Sequence, residues 1–247
     1  MSGQYNDIDM DASSVHPANN FYSRYIKRLL DIILSGLALV ALSPLLLVVS
    51  ILELIFHGRP IIYKTKRPGK NAELFEMYKF RSMTNECDSE GYLLPSKERI
   101  TPFGRFIRKT SIDELPELMN ILKGDMSIIG PRPLLAEYLD YYTPRHAMRH
   151  TVRPGLACFR IIPTESKTWT WREQFENDIY YIEHIGFITD VRMIMAVIKE
   201  VFRASDTRAD DNRVPFLGDN LDDTRSREEV GMVIHSDSVS KSRGDSQ

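Results

Sequence analysis

The sequence predicts a helix-dominated α+β fold: a re-entrant helix-break-helix membrane segment, then a cytosolic domain with a small β-hairpin. Three observations predict it. Residues 32–52 carry no charge, and Ser43-Pro44 interrupts them near the middle. Stretches at 61–64 and 74–80 read as short strands around the turn Arg67-Pro68-Gly69-Lys70-Asn71. Farther on, apolar residues recur at helical spacing, at Leu115, Leu118, Met119 and Leu122, and again at Val191, Ile194, Met195, Ile198 and Val201.

The uncharged run is nominally long enough to cross a hydrocarbon core of about 30 Å as one helix. Two features favour re-entry over that spanning anchor. Arg24, Lys27 and Arg28 precede the run, and His57, Arg59, Lys64, Lys66, Arg67 and Lys70 follow it. Basic residues tend to stay on the cytoplasmic side, so a spanning helix would leave one cluster on the wrong face. Pro44 also removes a backbone donor and clashes with the preceding turn, which bends or breaks a helix. The Ser43 hydroxyl is placed to bond the carbonyl that Pro44 leaves unpaired. Asp31 falls at the interface, either paired with Lys27 or Arg28 or simply solvated.

Beyond the hairpin, residues 84–100 read as a polar loop and 103–108 as a short basic helical piece. The 115–122 helix stops at Gly124, and Asp125 reads as a turn residue. Residues 134–142 form another short helix ended by Thr143-Pro144. His146 and His150 are four apart with no third ligand, so they read as surface residues rather than a metal site. Helices are expected at 171–184 and 190–202. The apolar stripe of the second is read as packing on the core, with a bilayer surface as the alternative. Trp169, Trp171, Tyr180 and Tyr181 are read as core, with stacking on a sugar or base as the alternative.

Composition excludes little. At 247 residues and 43% hydrophobic content, the chain can bury a sizeable core as one large domain or two small ones. Its net charge of −2 is unevenly spread: residues 1–20 and 203–247 carry −3 each, which leaves the body at +4. That balance suits anionic lipid and phosphate partners, or a plain solvated surface; nothing points to nucleic acid. Cys87 and Cys158 stand far apart, so neither a disulfide framework nor a zinc site is implied. The polar first twenty residues do not resemble a signal peptide.

The chemistry concentrates between Lys109 and Pro133. Ser111 and Glu114 have capping-box spacing, whereas Pro116 fits the first turn better if Asp113 is the cap. Either way Asp113 falls at the positive end of a helix, where ionised carboxylates and phosphates are favoured. Such a carboxylate can attack a phosphoryl group, provided cations offset the repulsion between anions. Glu114 is a hard-oxygen ligand for Mg²⁺, and Arg108 and Arg132 are fork-shaped phosphate partners. The plainer reading is that Asp113 and Glu114 only cap a helix and Arg132 is a surface charge in a proline-rich turn.

Several blocks in order carry a resemblance. They are K-R-L-L-D at Lys27–Asp31, Ser43-Pro44, Y-K-F-R-S-M at Tyr78–Met83, and T-P-F-G-R-F-I-R at Thr101–Arg108. S-I-D-E-L-P, L-K-G-D-M-S, G-P-R-P and the R-P-G of Arg153–Gly155 follow. From about Tyr25 to Phe202 the chain resembles the bacterial sugar transferases, specifically the small monotopic phosphoglycosyl transferases that start glycan assembly on undecaprenyl phosphate. The resemblance implies a re-entrant membrane helix (21–57) followed by a catalytic domain (58–202), while polar composition gives a disordered tail at 1–20 and a largely disordered C-terminal tail at 203–247. It places the enzyme on the cytoplasmic face of the bacterial inner membrane. It implies a Mg²⁺-dependent ping-pong reaction in which Asp113 attacks the β-phosphate of a UDP-sugar, releasing UMP. The polyprenyl phosphate then takes the phosphosugar. Glu114 and Asp113 would serve the metal, and Arg108 and Arg132 the phosphates. The extra multi-span N-terminal region of larger relatives is not expected here, and a homodimer stays open. One segment departs from the family pattern. After R-P-G, relatives commonly read T-G-x-A-Q-V-x-G-R-N, but residues 156–169 read L-A-C-F-R-I-I-P-T-E-S-K-T-W. Arg160 therefore takes no assigned role, and the segment is expected to affect sugar recognition, leaving the sugar undetermined. The alternative function is an inactive membrane-bound scaffold of a polysaccharide assembly complex.

Overall fold

The uncharged run folds as two helices meeting at one residue. The computed structural model describes residues 11–89, 91–158, 170–203 and 214–223. A π-helical turn at Tyr22–Ile26 leads into α1 (Lys27–Ala41), and α2 (Ser43–Phe56) departs after Leu42. The bend between the two is 63°, and no single helix among the described residues is long and apolar enough to cross a membrane. Pro44 has no N–H for the Val40 carbonyl, and Ser43 Oγ donates to that carbonyl instead at 2.7 Å. Burial along the pair is the reverse of a water-facing helix: Asp31, Ser35 and Glu53 are buried, while Leu37, Val40, Leu47 and Ile55 are more than half exposed.

Polar anchors tie this pair to the rest. Asp31 is buried rather than solvated. Its Oδ1 accepts from Ser127 Oγ at 3.0 Å and from the Ile128 N–H at 2.9 Å, which compensates its burial. Lys27 pairs with Asp190 at 2.7 Å, and Arg28 donates to the carbonyls of Ile121 and Leu122. At the far end of α2, His57 Nδ1 lies 2.9 Å from Glu53 Oε2, and its Nε2 lies 2.9 Å from Thr101 Oγ1. Thr101 Oγ1 also accepts from the Gly104 N–H, capping α3 (Pro102–Lys109). The apolar helix pair is thereby linked to the element that carries Arg108.

The hairpin pairs β1 (Ile62–Pro68) with β2 (Leu74–Phe80), antiparallel, from Ile62↔Phe80 to Pro68↔Leu74. β1 extends beyond the expected 61–64, and the reversal moves to 69–73, where Asn71 and Ala72 take positive φ. A second, parallel pair, β3 (Ser127–Ile129) and β4 (Gly155–Ala157), has no counterpart in the sequence reading. Between α3 and β3 lies α4 (Glu117–Lys123), ended by Gly124 at φ 105°. Asn120 of α4 is fully buried: its Nδ2 donates to the Glu76 carbonyl and its Oδ1 accepts from the Tyr78 N–H. That amide pins α4 against the outer edge of β2. Residues 136–141, expected as an ordinary helix, form a 3-10 turn.

Two helices close the body, α5 (Trp171–Glu183) and α6 (Phe187–Arg203). α5 starts with a capping box between Thr170 and Glu173. The inward face of α6 coincides only in part with the expected apolar stripe, of which Ile194 packs against the core. Asp190 and Met193 are buried, whereas Val191 and Met195 are well exposed. Asp190 sets this rotation, because its carboxylate accepts from the Tyr22 hydroxyl, Lys27 Nζ and the Tyr181 hydroxyl. The side chains of Ile198 and Val201 lie outside the described residues.

Three further expectations need correction. His146 and His150 are buried, not superficial, because tyrosine, phenylalanine and arginine side chains cover them. Residues 11–20 were read as tail, yet Val15 joins a core with Ile129, Ile179 and Ile182. Residues 214–223 were also read as tail, yet Phe216 is fully buried in a second cluster with Tyr138, Trp171 and Phe175. In both cases several contacts together offset the cost of ordering the segment: the His16 and Ala18 N–H groups bond Glu183 and the Ile182 carbonyl beside Val15, and Val214 and Leu221 are buried along with Phe216. The expected special segment at 156–169, with Arg160 and Trp169, lies mostly outside the described residues.

Candidate active site

Side chains alternate across a strand, so residues of one parity share a face. In this hairpin the odd positions Tyr63, Thr65, Arg67, Met77 and Lys79 line a cavity of about 550 Å³, joined by Arg81 just beyond β2. α3 supplies Arg108, the α3–α4 connection supplies Ser111, Asp113 and Glu114, and Glu117 opens α4. Arg132 and Leu134 follow β3, and Trp171 and Gln174 come from α5. Thus Asp113, Glu114, Arg108 and Arg132 all line one cavity, while Ser43 and Pro44 sit at the helix bend, away from it.

Asp113 is buried, 5% exposed, within a 3-10 turn at Ile112–Glu114. Neither capping arrangement expected from the sequence occurs. Ser111 adopts left-handed geometry at φ 57° and makes no cap, and Pro116 precedes the α-helix. With only seven residues in α4, nearby cations rather than a helix terminus must supply the positive field.

Those cations are abundant. Arg67, Lys79, Arg81, Arg99, Arg108 and Arg132 face three carboxylates, a surplus of three. Lys79 Nζ lies 2.9 Å from Glu114 Oε1 and 3.2 Å from Glu117 Oε1. Arg132 Nη2 reaches the same Glu114 oxygen at 3.0 Å. Burial raises the Glu117 carboxyl well above the usual carboxylate range; Lys79 opposes this shift and the Glu114 charge adds to it. Arg81 is fixed by the carbonyls of His57, Arg59 and Pro60. Arg132 is held from behind, because Arg149 donates to its carbonyl and forms a buried ion pair with Asp178 at 2.8 Å. Burial and the charge of Arg132 both lower the pKa of Arg67. A guanidinium in that position favours an anionic occupant.

Sequence reasoning missed Arg67, Lys79, Arg81 and Glu117. Parity of the expected hairpin was the available signal for Lys79, whereas Arg67 fell in the expected turn and Arg81 past the end of the expected strand. For Glu117 it was spacing of three and four residues from Glu114 and Asp113.

Among the described residues, no three His, Cys, Asp or Glu side chains converge as a metal cage. Magnesium does not require one, since it commonly takes one or two carboxylates and completes its shell with water and substrate phosphate. The residues fit that pattern. Asp113, Glu114 and Glu117 all line the cavity, Glu114 and Glu117 meet at Lys79, and Glu117 Oε1 is buried without an aligned hydrogen bond.

The chain matches the Bacterial sugar transferase family over residues 22–204. It is 41% identical over 176 residues to "Uncharacterized sugar transferase EpsL" of Bacillus subtilis (strain 168), covering 71% of this chain and 87% of that protein. It is 34% identical to "UDP-N-acetylgalactosamine-undecaprenyl-phosphate N-acetylgalactosaminephosphotransferase" of Aeromonas hydrophila, covering 72% and 44%. It is 33% identical to "Undecaprenyl-phosphate galactose phosphotransferase" of Salmonella typhimurium, covering 73% and 41%. The match thus spans most of the first relative and under half of the other two.

Proposed function

The chain belongs to the bacterial sugar transferase family, and on that premise we propose that it transfers a phosphosugar from a UDP-sugar to undecaprenyl or another polyprenyl phosphate. The observation that carries this reading is a buried carboxylate, Asp113, in a cavity with surplus cations, in a chain that also carries a bent, outwardly apolar helix pair. A carboxylate nucleophile needs an anionic electrophile held close, with its charge offset.

In the first half-reaction an Asp113 carboxylate oxygen attacks the β-phosphorus of the donor. The bond from that phosphorus to the oxygen bridging to the α-phosphate breaks, and UMP leaves with that oxygen. The enzyme retains an aspartyl phosphosugar. In the second half-reaction an oxygen of the polyprenyl phosphate attacks the same phosphorus and Asp113 leaves as carboxylate. The product is a polyprenyl-diphosphate-sugar. Arg108 and Arg132 are assigned to the phosphate oxygens, and Lys79 holds Glu114 beside the nucleophile. Mg²⁺, bound by Glu114 and Asp113, would neutralise diphosphate charge.

The lipid acceptor accounts for the helix pair. We assign it as a re-entrant segment in the bacterial cytoplasmic membrane, with the cavity on the cytoplasmic side. Basic flanks on both sides, the bend at Ser43-Pro44 and the outward-facing leucines, isoleucines and valines support this reading.

The test uses the intact chain, Mg²⁺, a polyprenyl phosphate and a panel of UDP-sugars, reading UMP release and lipid product. One donor at least is expected to release UMP, and Asp113→Asn is expected to lower turnover by 10³-fold or more, since it removes the nucleophile. Mass spectrometry of donor-treated enzyme is expected to find a phosphosugar on Asp113. Normal turnover by Asp113→Asn would exclude it as nucleophile, and silence toward every donor would favour the scaffold.

A further inference from the structure

The cavity end formed by Leu134, Tyr138, Trp171 and Gln174 is backed by a segment outside the family match, which stops at residue 204. Residues 214–223 lie along α5. The Trp171 indole N–H donates to the Val214 carbonyl at 3.0 Å, and the Arg172 N–H donates to the Leu221 carbonyl at 3.0 Å. Arg172 holds Asp222 through two contacts, Nε at 2.7 Å and Nη2 at 3.0 Å. A turn closed by Asn220 onto Pro215 and Leu217 points Phe216 inward. That ring is fully buried and meets Tyr138 at 5.8 Å, Trp171 at 5.5 Å and Phe175 at 5.1 Å between centroids.

Tyr138 and Trp171 therefore face the cavity on one side and Phe216 on the other. Each packs in a specific ring geometry, and such pairs fix orientation as well as burying area. We propose that residues 214–223 are a strap that shapes the sugar-facing wall of the cavity, with Phe216 as a positioning residue acting through Tyr138 and Trp171. The assignment deepens the donor-site reading and rests on it. Arg108 and Arg132 are assigned to the phosphates, so Tyr138 and Trp171, the aromatic side chains of the same lining that the strap contacts, are assigned to the part that donors vary, the sugar ring. Since the strap lies beyond the shared family region, it gives this chain its own means of setting sugar preference.

Donor KM and kcat are measured in the intact chain across the UDP-sugar panel for wild type, Phe216→Leu, Phe216→Ala and Asp222→Lys. Phe216→Ala is expected to raise KM for the preferred sugar about tenfold or more and to flatten preference among sugars, with a smaller change in kcat. Phe216→Leu is expected to recover part of that preference. Asp222→Lys loosens the strap from the surface without opening the core, and is expected to raise KM several-fold with Tm unchanged. It keeps the test decisive if Phe216→Ala does not fold. Wild-type KM and sugar preference in Asp222→Lys and Phe216→Leu would overturn the strap while leaving the transferase reading intact. A wild-type chain that releases no UMP from any donor would overturn both.

Discussion

His150 shows how far a single side chain can depart from its sequence pattern. Its spacing from His146 states which helix face the two share, but not whether another element covers that face. In the fold Nδ1 lies 3.3 Å from the Gly69 carbonyl, and Nε2 is buried with no hydrogen bond. Burial, and secondarily the charge of Arg149, lowers its pKa from 6.5 to about 4. The folded state therefore keeps a neutral imidazole over a range where the unfolded chain takes up a proton. A depressed histidine contributes stability above pH 6.5 that is lost as pH falls toward 4, on the order of 3 kcal/mol at most. Tm is expected to fall between pH 6.5 and 4 in the wild type and to fall less in His150→Gln. Equal slopes would assign the acid sensitivity to other groups. That Asp113 and Glu114 line the cavity with Arg132 agrees with the sequence, where an adjacent acid pair next to Pro116 stands out locally. Glu117 was not legible there, because its role depends on burial against Lys79, 38 positions away in sequence and 3.2 Å away in space.

At the scale of elements, most helices and the hairpin followed from periodicity and turn chemistry, and the differences have local causes. The 3-10 turn holding Asp113 arises because Ser111 reverses the chain before Pro116, which precedes the helix. The parallel β3–β4 pair joins segments far apart in the chain, and no short-range signal encodes such a contact. Approach of α3 to the end of β2 is equally hidden, although a glycine marks it. A Cβ on Gly104 would lie 1.9 Å from the Ser82 carbonyl oxygen, a backbone atom that cannot swing aside. Gly104→Ala is therefore expected to destabilise the fold by more than about 2 kcal/mol. Because α3 carries Arg108, donor KM should rise even in the folded fraction. Denaturant unfolding in detergent checks the first outcome, and unchanged stability would mean that α3 has room to move from Ser82.

For the whole molecule, the central relation is between the apolar helix pair and the charged cavity. If α1 and α2 form a re-entrant loop, single cysteines placed before Arg24 and after Arg59 should react with an impermeant label from the same side of sealed vesicles. Opposite-side labelling would make the segment a spanning anchor. The sequence by itself determined the helix break, the hairpin, the family blocks and the acid pair, because each is written in neighbouring residues or in a short period. Tertiary structure alone decided that Asp31 is buried under Ser127, that Asp190 turns α6 inward, and that Phe216 returns from a polar tail to the aromatic wall. Those outcomes depend on which surfaces meet across long separations, where burial and hydrogen-bond satisfaction outweigh local preference.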